Sequence, residues 1–333
     1  MSIRRYVGAD IAANSIQLEW VEVSSQQREQ LTIQHKQGDY RKVVKRLTQQ
    51  TAAAEIQVVM EATGSYWMAF AEYLHQAGMV VSVLNPIQSA HFAQMLLQRT
   101  KTDRADAHLL CEYGQRLRPD AWTPPPPICQ QLQHRLRQRD DLVQIRSAER
   151  NRRHALQRQL HVDKSIRQRL EHHIDYLTRQ IKILDTEIRQ LLLSHHDWKE
   201  HVRRLLTLKG LGFLTVAWLL VATHAFSRCE TPDQAAAFAG LAPHPRESGQ
   251  WKGKRSVGGG GHRALRGTLY MASLSAVRFN PRLKSVFAHL LKRGKPKKVA
   301  LCAIARKLIH LAWALVVKQR DFDPDWNQSL SLP

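Results

Sequence analysis

The sequence has few cysteines, and nothing in their spacing pairs them. Cys111, Cys129, Cys229 and Cys302 are scattered through the 333 residues, and no Cys-x-x-Cys pair occurs. Disulfide frameworks and zinc modules both bring cysteines together at short, regular spacings. The pattern argues against either kind of site and favours a reducing, cytoplasmic location.

Acidic residues are also scarce, at 28 against 50 lysines and arginines, which gives a formal net charge of +22. Between Glu247 and Asp321 there is no acid at all, although lysine and arginine are frequent there. Clustered positive charge attracts polyanions, because neutralised phosphates release their counterions. We therefore expect a nucleic-acid partner.

Long apolar runs and a signal peptide are missing as well. No apolar run approaches the ~20 residues of a membrane-spanning helix. The start, Met1 to Tyr6, lacks the apolar core of a signal peptide. The sequence thus predicts no membrane partner.

Strand and helix patterns divide the chain into three parts. Three predicted strands at 5–10, 15–23 and 30–35 are followed by alternating helices and strands, which indicates an α/β fold with a mixed sheet. A proline run at 124–127 marks a boundary, because consecutive prolines cannot continue a helix. The predicted domains are 1–125 (α/β), 126–200 (helical, coiled-coil-like) and 201–333 (mainly helical).

The middle part carries a heptad pattern. Apolar residues recur in steps of four and three from Leu170 to Leu191, which is typical of a helix-packing seam. Asp163 has the position of an N-cap between two helices. The simplest arrangements are a long helical hairpin or a dimerising coiled coil. The arginine-rich first half, including Arg150 and Arg153, is either a solvated face or a surface that follows a nucleic-acid backbone.

Four carboxylates have the positions expected of a metal site. Asp10 and Glu61 each end an apolar strand, and Asp103 and Asp106 lie three apart, on one face of a helix. Taken singly, each acid has an ordinary alternative as a cap or a solvent-facing strand end. Together they predict a site for Mg²⁺ or Mn²⁺, because hard cations prefer carboxylate oxygens and in turn bind phosphate.

Two glycine-containing segments in the last part have possible phosphate-binding roles. Gly210 and Gly212, flanked by apolar residues, have the form of a helix-hairpin-helix turn that offers backbone N–H groups to phosphate; a plain tight turn is the alternative. The run 258–261 is either a phosphate-cradling loop or a hinge. The basic residues that we expect to contact nucleic acid here are Lys252, Lys254, Arg255, Arg263 and Arg266.

Several separate motifs resemble a known family in the same order. They are Gly8-Ala9-Asp10-Ile11-Ala12, Met60-Glu61-Ala62-Thr63-Gly64-Ser65-Tyr66, Asn85-Pro86 and Lys101-Thr102-Asp103-Arg104-Ala105-Asp106-Ala107. They are similar to the DEDD transposases of bacterial insertion sequences, the "one-ten" insertion-sequence family. The resemblance implies a ribonuclease-H-type N-terminal domain, similar to the RuvC Holliday-junction resolvase, with Asp10, Glu61, Asp103 and Asp106 as Mg²⁺ ligands.

The resemblance also implies a nucleophile and partners. A serine in the Glu-Ser-Gly position implies that Ser248 attacks DNA and forms a phosphoseryl intermediate; an ordinary Ser-Gly turn is the alternative. The family further implies donor and target DNA, a noncoding bridge RNA, and dimers that assemble into tetramers. Four glycines replace the family's usual Ser-Lys-Gly-like segment, so Lys252, Lys254 and Arg255 become candidates to assist the serine.

Two other functions remain compatible with the residues. One is a metal-dependent, junction-resolving endonuclease in which water attacks and Ser248 is a spectator. The other is a non-enzymatic nucleic-acid-binding protein. The first predicts that Ser248→Ala still cleaves DNA, and the second predicts binding that is indifferent to Mg²⁺ and to all five candidate catalytic residues.

Overall fold

A computed structural model describes residues 2–98, 102–227, 229–244, 247–248, 251–252, 256–257 and 260–323, with the backbone alone at 244, 247–248, 251–252 and 256–257. The chain forms two compact units, Met1–Pro124 and Pro125–Pro333. The first boundary lies in the proline run. The division of the second unit into a helical segment and a C-terminal domain stays a prediction.

The first unit is built on a mixed sheet of five strands in the order β3-β2-β1-β4-β5. β1 pairs antiparallel with β2 and parallel with β4, and β4 pairs parallel with β5. This is the predicted α/β arrangement of a three-strand meander followed by parallel strands. The strands are β1 (Arg5–Ile11), β2 (Ser15–Glu22), β3 (Arg28–Gln34), β4 (Ile56–Glu61) and β5 (Val80–Leu84).

Helices cover both faces of this sheet, which explains why the first five residues of β1 and of β4 are all buried. Successive β4 residues point to opposite faces: Val58 packs with Phe70, whereas Val59 packs with Phe92 and Leu110. The helices are α1 (Gln37–Leu47), α2 (Trp67–Gln76), α3 (Pro86–Met95) and α4 (Asp103–Leu117).

The second unit is mainly helical, around one apolar core. Two short ribbon pairs interrupt its helices: β6 (Pro243–His244) with β9 (Ser256–Val257), and β7 (Glu247–Ser248) with β8 (Trp251–Lys252). The helices are α5 (Pro127–Leu156), α6 (Lys164–Ser194), α7 (His196–Thr207), α8 (Phe213–Thr223), α9 (Pro232–Phe238), α10 (Arg263–Phe279), α11 (Pro281–Lys292) and α12 (Lys297–Val317).

The helices α5 and α6 form an antiparallel hairpin, one of the two predicted arrangements. Two ion pairs join them, Arg135–Glu187 (3.1 Å) and Arg139–Asp185 (2.6 Å). The residue number rises along α5 while that of its partner falls along α6, as in an antiparallel pair. Asp163 caps α6 as predicted, accepting a hydrogen bond from the Ser165 N–H at 2.7 Å. A dimerising coiled coil stays untested.

The heptad seam is buried along most of α6, from Ile174 to Ile188. At its end, Leu192 is fully buried whereas Leu191 is only partly buried. A helix of 3.6 residues per turn drifts away from a strict seven-residue repeat, which accounts for this one-residue shift.

One helix corrects the expectation about apolar runs. α12 is long and apolar enough to cross a membrane by length and composition, although Arg306 and Lys307 interrupt the run in the sequence. In this fold 61% of its apolar segment is buried. Ile304, Leu308 and Leu315 lie in the apolar core of the second unit. In this structure the helix is therefore part of that core.

Candidate active site

Asp10 and Glu61 lie side by side at one edge of the sheet. β1 and β4 are parallel neighbours, with Ala9 opposite Met60 in their register. The next residues along the two strands are therefore Asp10 and Glu61. Because the carboxyl ends of parallel strands meet at the same edge, the two acids predicted from separate motifs converge there.

A glycine on β1 brings the second acidic motif to the same edge. A Cβ on Gly8 would lie 2.0 Å from the Ala107 carbonyl oxygen and 2.4 Å from the Cys111 nitrogen. The glycine thus lets α4 pack directly against the strand. Asp106 immediately precedes Ala107, so this contact carries Asp106 toward Asp10.

Three of the four predicted acids line one cavity. Asp10, Glu61 and Asp106 surround a space of about 620 Å³, together with residues of α3 and α4. Asp103 is the exposed first residue of α4 and is not among the lining residues. Its helix begins with the Thr102 hydroxyl accepting a hydrogen bond from the Ala105 N–H at 3.2 Å.

The four carboxylates nevertheless form one electrostatic cluster. Burial, followed by the charges of Asp106, Asp103 and Glu61, raises the pKa of Asp10 from 3.8 to about 6. Like charges disfavour ionisation at a shared site. Convergent acids of this kind are found where a cation or a catalytic proton is handled.

Hydroxyl groups orient Glu61. The Ser89 hydroxyl donates to its Oε2 at 2.8 Å, and the Thr63 hydroxyl donates to its Oε1 at 2.9 Å. Ser89 is buried at the start of α3, which Asn85 caps by accepting from the Ile87 N–H at 3.0 Å. The sequence reasoning missed both hydroxyls, although the Asn85-Pro86 motif marked the helix that carries one of them.

The donor chemistry fits a hard divalent cation, since carboxylate oxygens are what Mg²⁺ and Mn²⁺ prefer. Within the ranges that the structure describes, however, no three His, Cys, Asp or Glu side chains are gathered closely enough to hold one ion. The neighbouring carboxylates contribute to the raised pKa of Asp10 through charge repulsion. Such repulsion acts over longer distances than those at which several carboxylates can bind the same ion. The acids are thus a convergent cluster and not a closed coordination shell.

Ser248 lies in the second unit, as the last residue of β7, where its backbone pairs with Trp251 of β8. Lys252 ends β8. Lys254 and Arg255, and the side chains of Ser248 and Lys252, lie outside the described residues. The structure therefore gives the ribbon that carries the predicted nucleophile, but not the surroundings of its hydroxyl.

The predicted Gly-x-Gly turn joins α7 to α8. Gly210 has φ +117°, and a Cβ there would lie 2.5 Å from the Ala276 Cβ of α10, so packing requires this glycine. Gly212 is exposed at the N-cap of α8, and a Cβ there would meet open space. Of the two, Gly212 is the one next to an accessible helix N-terminus; phosphate binding by either stays a prediction.

The predicted basic contacts differ in their surroundings. Arg150 is exposed on α5 and Arg153 is half-buried nearby. Arg263 is the exposed first residue of α10. Arg266 is half-buried, and its guanidinium donates to the Gly260 carbonyl at 2.6 Å, so it holds the end of the glycine run in place.

Comparison with known proteins agrees with these motifs. A family model for the DEDD transposase of IS110 type matches residues 7–162, and a model described as "Transposase IS116/IS110/IS902 family" matches residues 202–288. A pilin gene-inverting protein of Moraxella bovis is 30% identical over 323 residues, which cover 96% of this chain and 98% of that protein.

A transposase for insertion sequence element IS1328 of Yersinia enterocolitica is 26% identical over 292 residues, 78% of this chain and 84% of that protein. The Moraxella match covers 96% of this chain and therefore extends through both compact units. This chain therefore belongs to the DEDD, IS110-type family of insertion-sequence transposases, which are enzymes of DNA recombination.

Proposed function

We propose that this transposase cuts and rejoins DNA by phosphoryl transfer through a covalent phosphoseryl intermediate. The observation that carries the proposal is the convergence of Asp10, Glu61 and Asp106 on one cavity, in a chain of a family that recombines DNA. A nucleic-acid-binding protein without catalysis has no use for a cluster of like charges that raises the pKa of Asp10.

The acids are the proposed holders of the cation. Asp10, Glu61, Asp103 and Asp106 would bind Mg²⁺, or Mn²⁺, through carboxylate oxygens. When bound, the ion supplies Lewis-acid stabilisation of the charge that develops on the transferring phosphate. Ser89 and Thr63 each hold one oxygen of the Glu61 carboxylate through a hydroxyl, and each of these oxygens keeps a further lone pair.

Ser248 is the proposed nucleophile. Its Oγ forms a bond to the scissile phosphorus as the bond from phosphorus to the leaving DNA oxygen breaks. The serine proton passes to a base, and the leaving oxygen takes up a proton to become a free hydroxyl. Attack by a hydroxyl of the exchanged strand on the phosphoserine reverses these steps and rejoins DNA without an external energy source.

Further parts of the proposal concern fold and partners. The strand order and the parallel β1–β4–β5 arrangement support a ribonuclease-H, RuvC-like first domain over residues 1–125. The basic α5 and the acid-free stretch after Glu247 support contacts to donor DNA, target DNA and a guiding noncoding RNA. Homodimers assembling into tetramers complete the proposal, which puts the protein in the cytoplasm, on the nucleoid when it acts.

The direct test is a denaturing gel that detects DNA attached to protein. Purified protein is mixed with Mg²⁺, labelled donor and target DNA, and RNA transcribed from the element's flanks. Wild type is compared with Ser248→Ala, Ser248→Cys and Asp10→Asn. An adduct that disappears in Ser248→Ala and in Asp10→Asn, and that needs the RNA, is the expected result.

Other outcomes would assign other functions. Free nicked DNA without adduct in wild type and in Ser248→Ala would establish a hydrolytic junction endonuclease. Salt-sensitive binding without cleavage in any variant would establish a binding protein. An adduct that forms equally well without RNA would remove the guide from the proposal while keeping the serine.

A further inference from the structure

A second cavity lies wholly inside the second unit, and none of the four predicted acids is among its lining residues. It has a volume of about 890 Å³, within the range of ligand pockets, and is formed by α5, α8 and α10. His262, the N-cap of α10, is one of its lining residues and follows the glycine run. Neither the metal chemistry nor the serine chemistry uses these residues.

The wall of this cavity combines aromatic rings with a half-buried acid. Trp218 is buried, and its ring centroid is 5.8 Å from that of His262. Burial raises the pKa of Asp140, while the neighbouring Arg139 and Trp218 act in the opposite direction. A guanidinium N–H of Arg139 donates to the Asp140 carboxylate at 3.3 Å. A carboxylate has about four lone-pair sites, so Asp140 retains acceptor capacity toward the cavity.

The protonation of His262 is fixed by its cap. Its Nδ1 accepts a hydrogen bond from the Leu265 N–H at 3.2 Å, so in the neutral ring the proton is on Nε2. Burial and the charge of Arg137 lower the pKa of His262, which favours that neutral ring. His262 therefore offers an aromatic surface and one donor.

Arginine side chains also line this cavity. Arg137 and Arg263 are exposed lining residues, and neither forms an ion pair with an acid in the described part of the chain. Arginine without a carboxylate partner is well suited to phosphate, which it binds through two parallel N–H groups. An aromatic wall, an acceptor and free arginines are what one unstacked nucleotide requires.

We propose that this cavity binds a single extrahelical guanine nucleotide of a nucleic-acid strand. Guanine has two adjacent donors, N1–H and N2–H, on its Watson–Crick edge, and these match the Asp140 carboxylate. Adenine and cytosine present a donor next to an acceptor, and thymine presents one donor between two acceptors. The arginines hold the phosphate. The inference rests on the chain's action on DNA and needs neither the serine nor a metal.

Gly267 of α10 offers a clean way to block the cavity. It is exposed, it lines the cavity, and a Cβ there would meet nothing within 4 Å. Gly267→Phe fills the space, while Gly267→Ala makes the same backbone change with one methyl group. Asp140→Asn tests the acceptor directly. The folding of each variant is checked by thermal unfolding.

The experiment measures binding of full-length protein, without divalent metal, to labelled thymidine decamers with one central dG, dI, dA or rG. Fluorescence anisotropy at 200 mM salt suppresses sequence-independent phosphate binding. For wild type we expect about tenfold tighter binding of the dG strand than of the dA strand, with dI between, because dI lacks the 2-amino donor. The rG strand shows whether DNA or RNA supplies the nucleotide.

Gly267→Phe and Asp140→Asn should reduce the ratio of dG to dA affinity to near one, whereas Gly267→Ala keeps it. Equal affinities of wild type for dG and dA overturn the proposal, as does a ratio that survives Gly267→Phe. Since the assay involves no cleavage, its outcome is independent of the adduct experiment. If Ser248 is not the nucleophile, the proposal of a guanine pocket is unaffected. If the cavity does not bind guanine, the proposed serine mechanism is likewise unaffected.

Discussion

Gly8 of β1 lies against the carbonyl oxygen of Ala107 in α4, so closely that a Cβ would stand 2.0 Å from that oxygen. A second glycine on the same helix, Gly114, faces Val59 of β4, where a Cβ would be 2.9 Å from the nearest side-chain atom. Small residues on both elements therefore set the distance between sheet and helix. Asp10 and Asp106 flank the first contact, so it also sets the geometry of the acidic cavity.

Gly8→Ala should lower the free energy of unfolding of the first unit by about 1–3 kcal/mol or more, because the methyl group overlaps backbone atoms that cannot move independently. Urea unfolding followed by circular dichroism measures this. Gly38→Ala is the matched control: Gly38 lies in α1, and a Cβ there meets nothing within 4 Å. That variant should be stabilised by up to about 1 kcal/mol. Equal stability of the two variants would contradict the close packing.

Ser89→Ala should weaken Mg²⁺ or Mn²⁺ binding by about 10–100-fold, as is common when a group that orients a metal ligand is removed. The Ser89 hydroxyl is what holds Oε2 of Glu61. Electron paramagnetic resonance of free Mn²⁺ measures the affinity without any need for catalysis. Thr63→Ser keeps the hydroxyl that donates to Oε1 of Glu61, so it should bind the metal as tightly as wild type does. Thr63→Ala removes this hydroxyl and should bind the metal more weakly. Full affinity in Ser89→Ala would refute the positioning role.

The stability of the metal-free protein should depend on the protonation of Asp10. Its pKa in the folded state is raised to about 6, above the value of 3.8 expected of an unperturbed aspartate. The stabilisation that Asp10 contributes is therefore complete below about pH 4 and is lost as the pH rises through about 6. Thermal unfolding at a series of pH values, with wild type compared to Asp10→Asn, isolates this contribution.

Mg²⁺ should raise the unfolding temperature more at pH 7.5 than at pH 5, because the cation binds the ionised carboxylate. Asp10→Asn should lose most of the increase at both pH values. An unfolding temperature that rises equally at both pH values in wild type and in Asp10→Asn would show that the cation stabilises the protein elsewhere.

Two isoleucines of α6 allow the buried seam of this helix to be compared with its exposed face. Ile188 is fully buried in the core of the second unit, whereas Ile183 is 48% exposed. Ile188→Ala should destabilise the protein by about 2–5 kcal/mol through cavity formation. Ile183→Ala should stay within about 0.5 kcal/mol of wild type. If the two substitutions cost the same in denaturant unfolding, the exposed face of α6 is also a packing surface, as in the dimerising coiled coil.

Much of the first unit is visible in the sequence because its strands carry their own signal. Buried parallel strands are largely apolar, so 56–61 stands out from its neighbours, and Asn85-Pro86 marks the break before the next helix. The acidic motifs follow from the same patterns, since each acid ends a strand or begins a helix. Ser89 carries no such signal, because a serine in the first turn of a helix is ordinary until its neighbour across the cleft is known.

Local sequence patterns predict less of the second unit. The heptad of α6 predicts a seam, but its partner helix α5 is rich in arginine, so only contacts such as the Arg139–Asp185 ion pair show that the two helices form a hairpin. The Gly-x-Gly pattern predicts phosphate binding at Gly210, and the contact of this glycine with Ala276 gives it a packing role as well. Such contacts join residues far apart in the chain, which local pattern cannot relate.

By itself the sequence determined the α/β character of the first unit, the helical character of the second, the strong positive charge and the four candidate acids, because periodicity and composition are local properties. Only the tertiary structure decided which of these acids line one cavity, which hydroxyls hold Glu61, and that α5, α8 and α10 enclose a second pocket. Those facts depend on close approach between distant segments. Backbone packing at positions such as Gly8 determines how closely these segments approach, and no local sequence pattern encodes that distance.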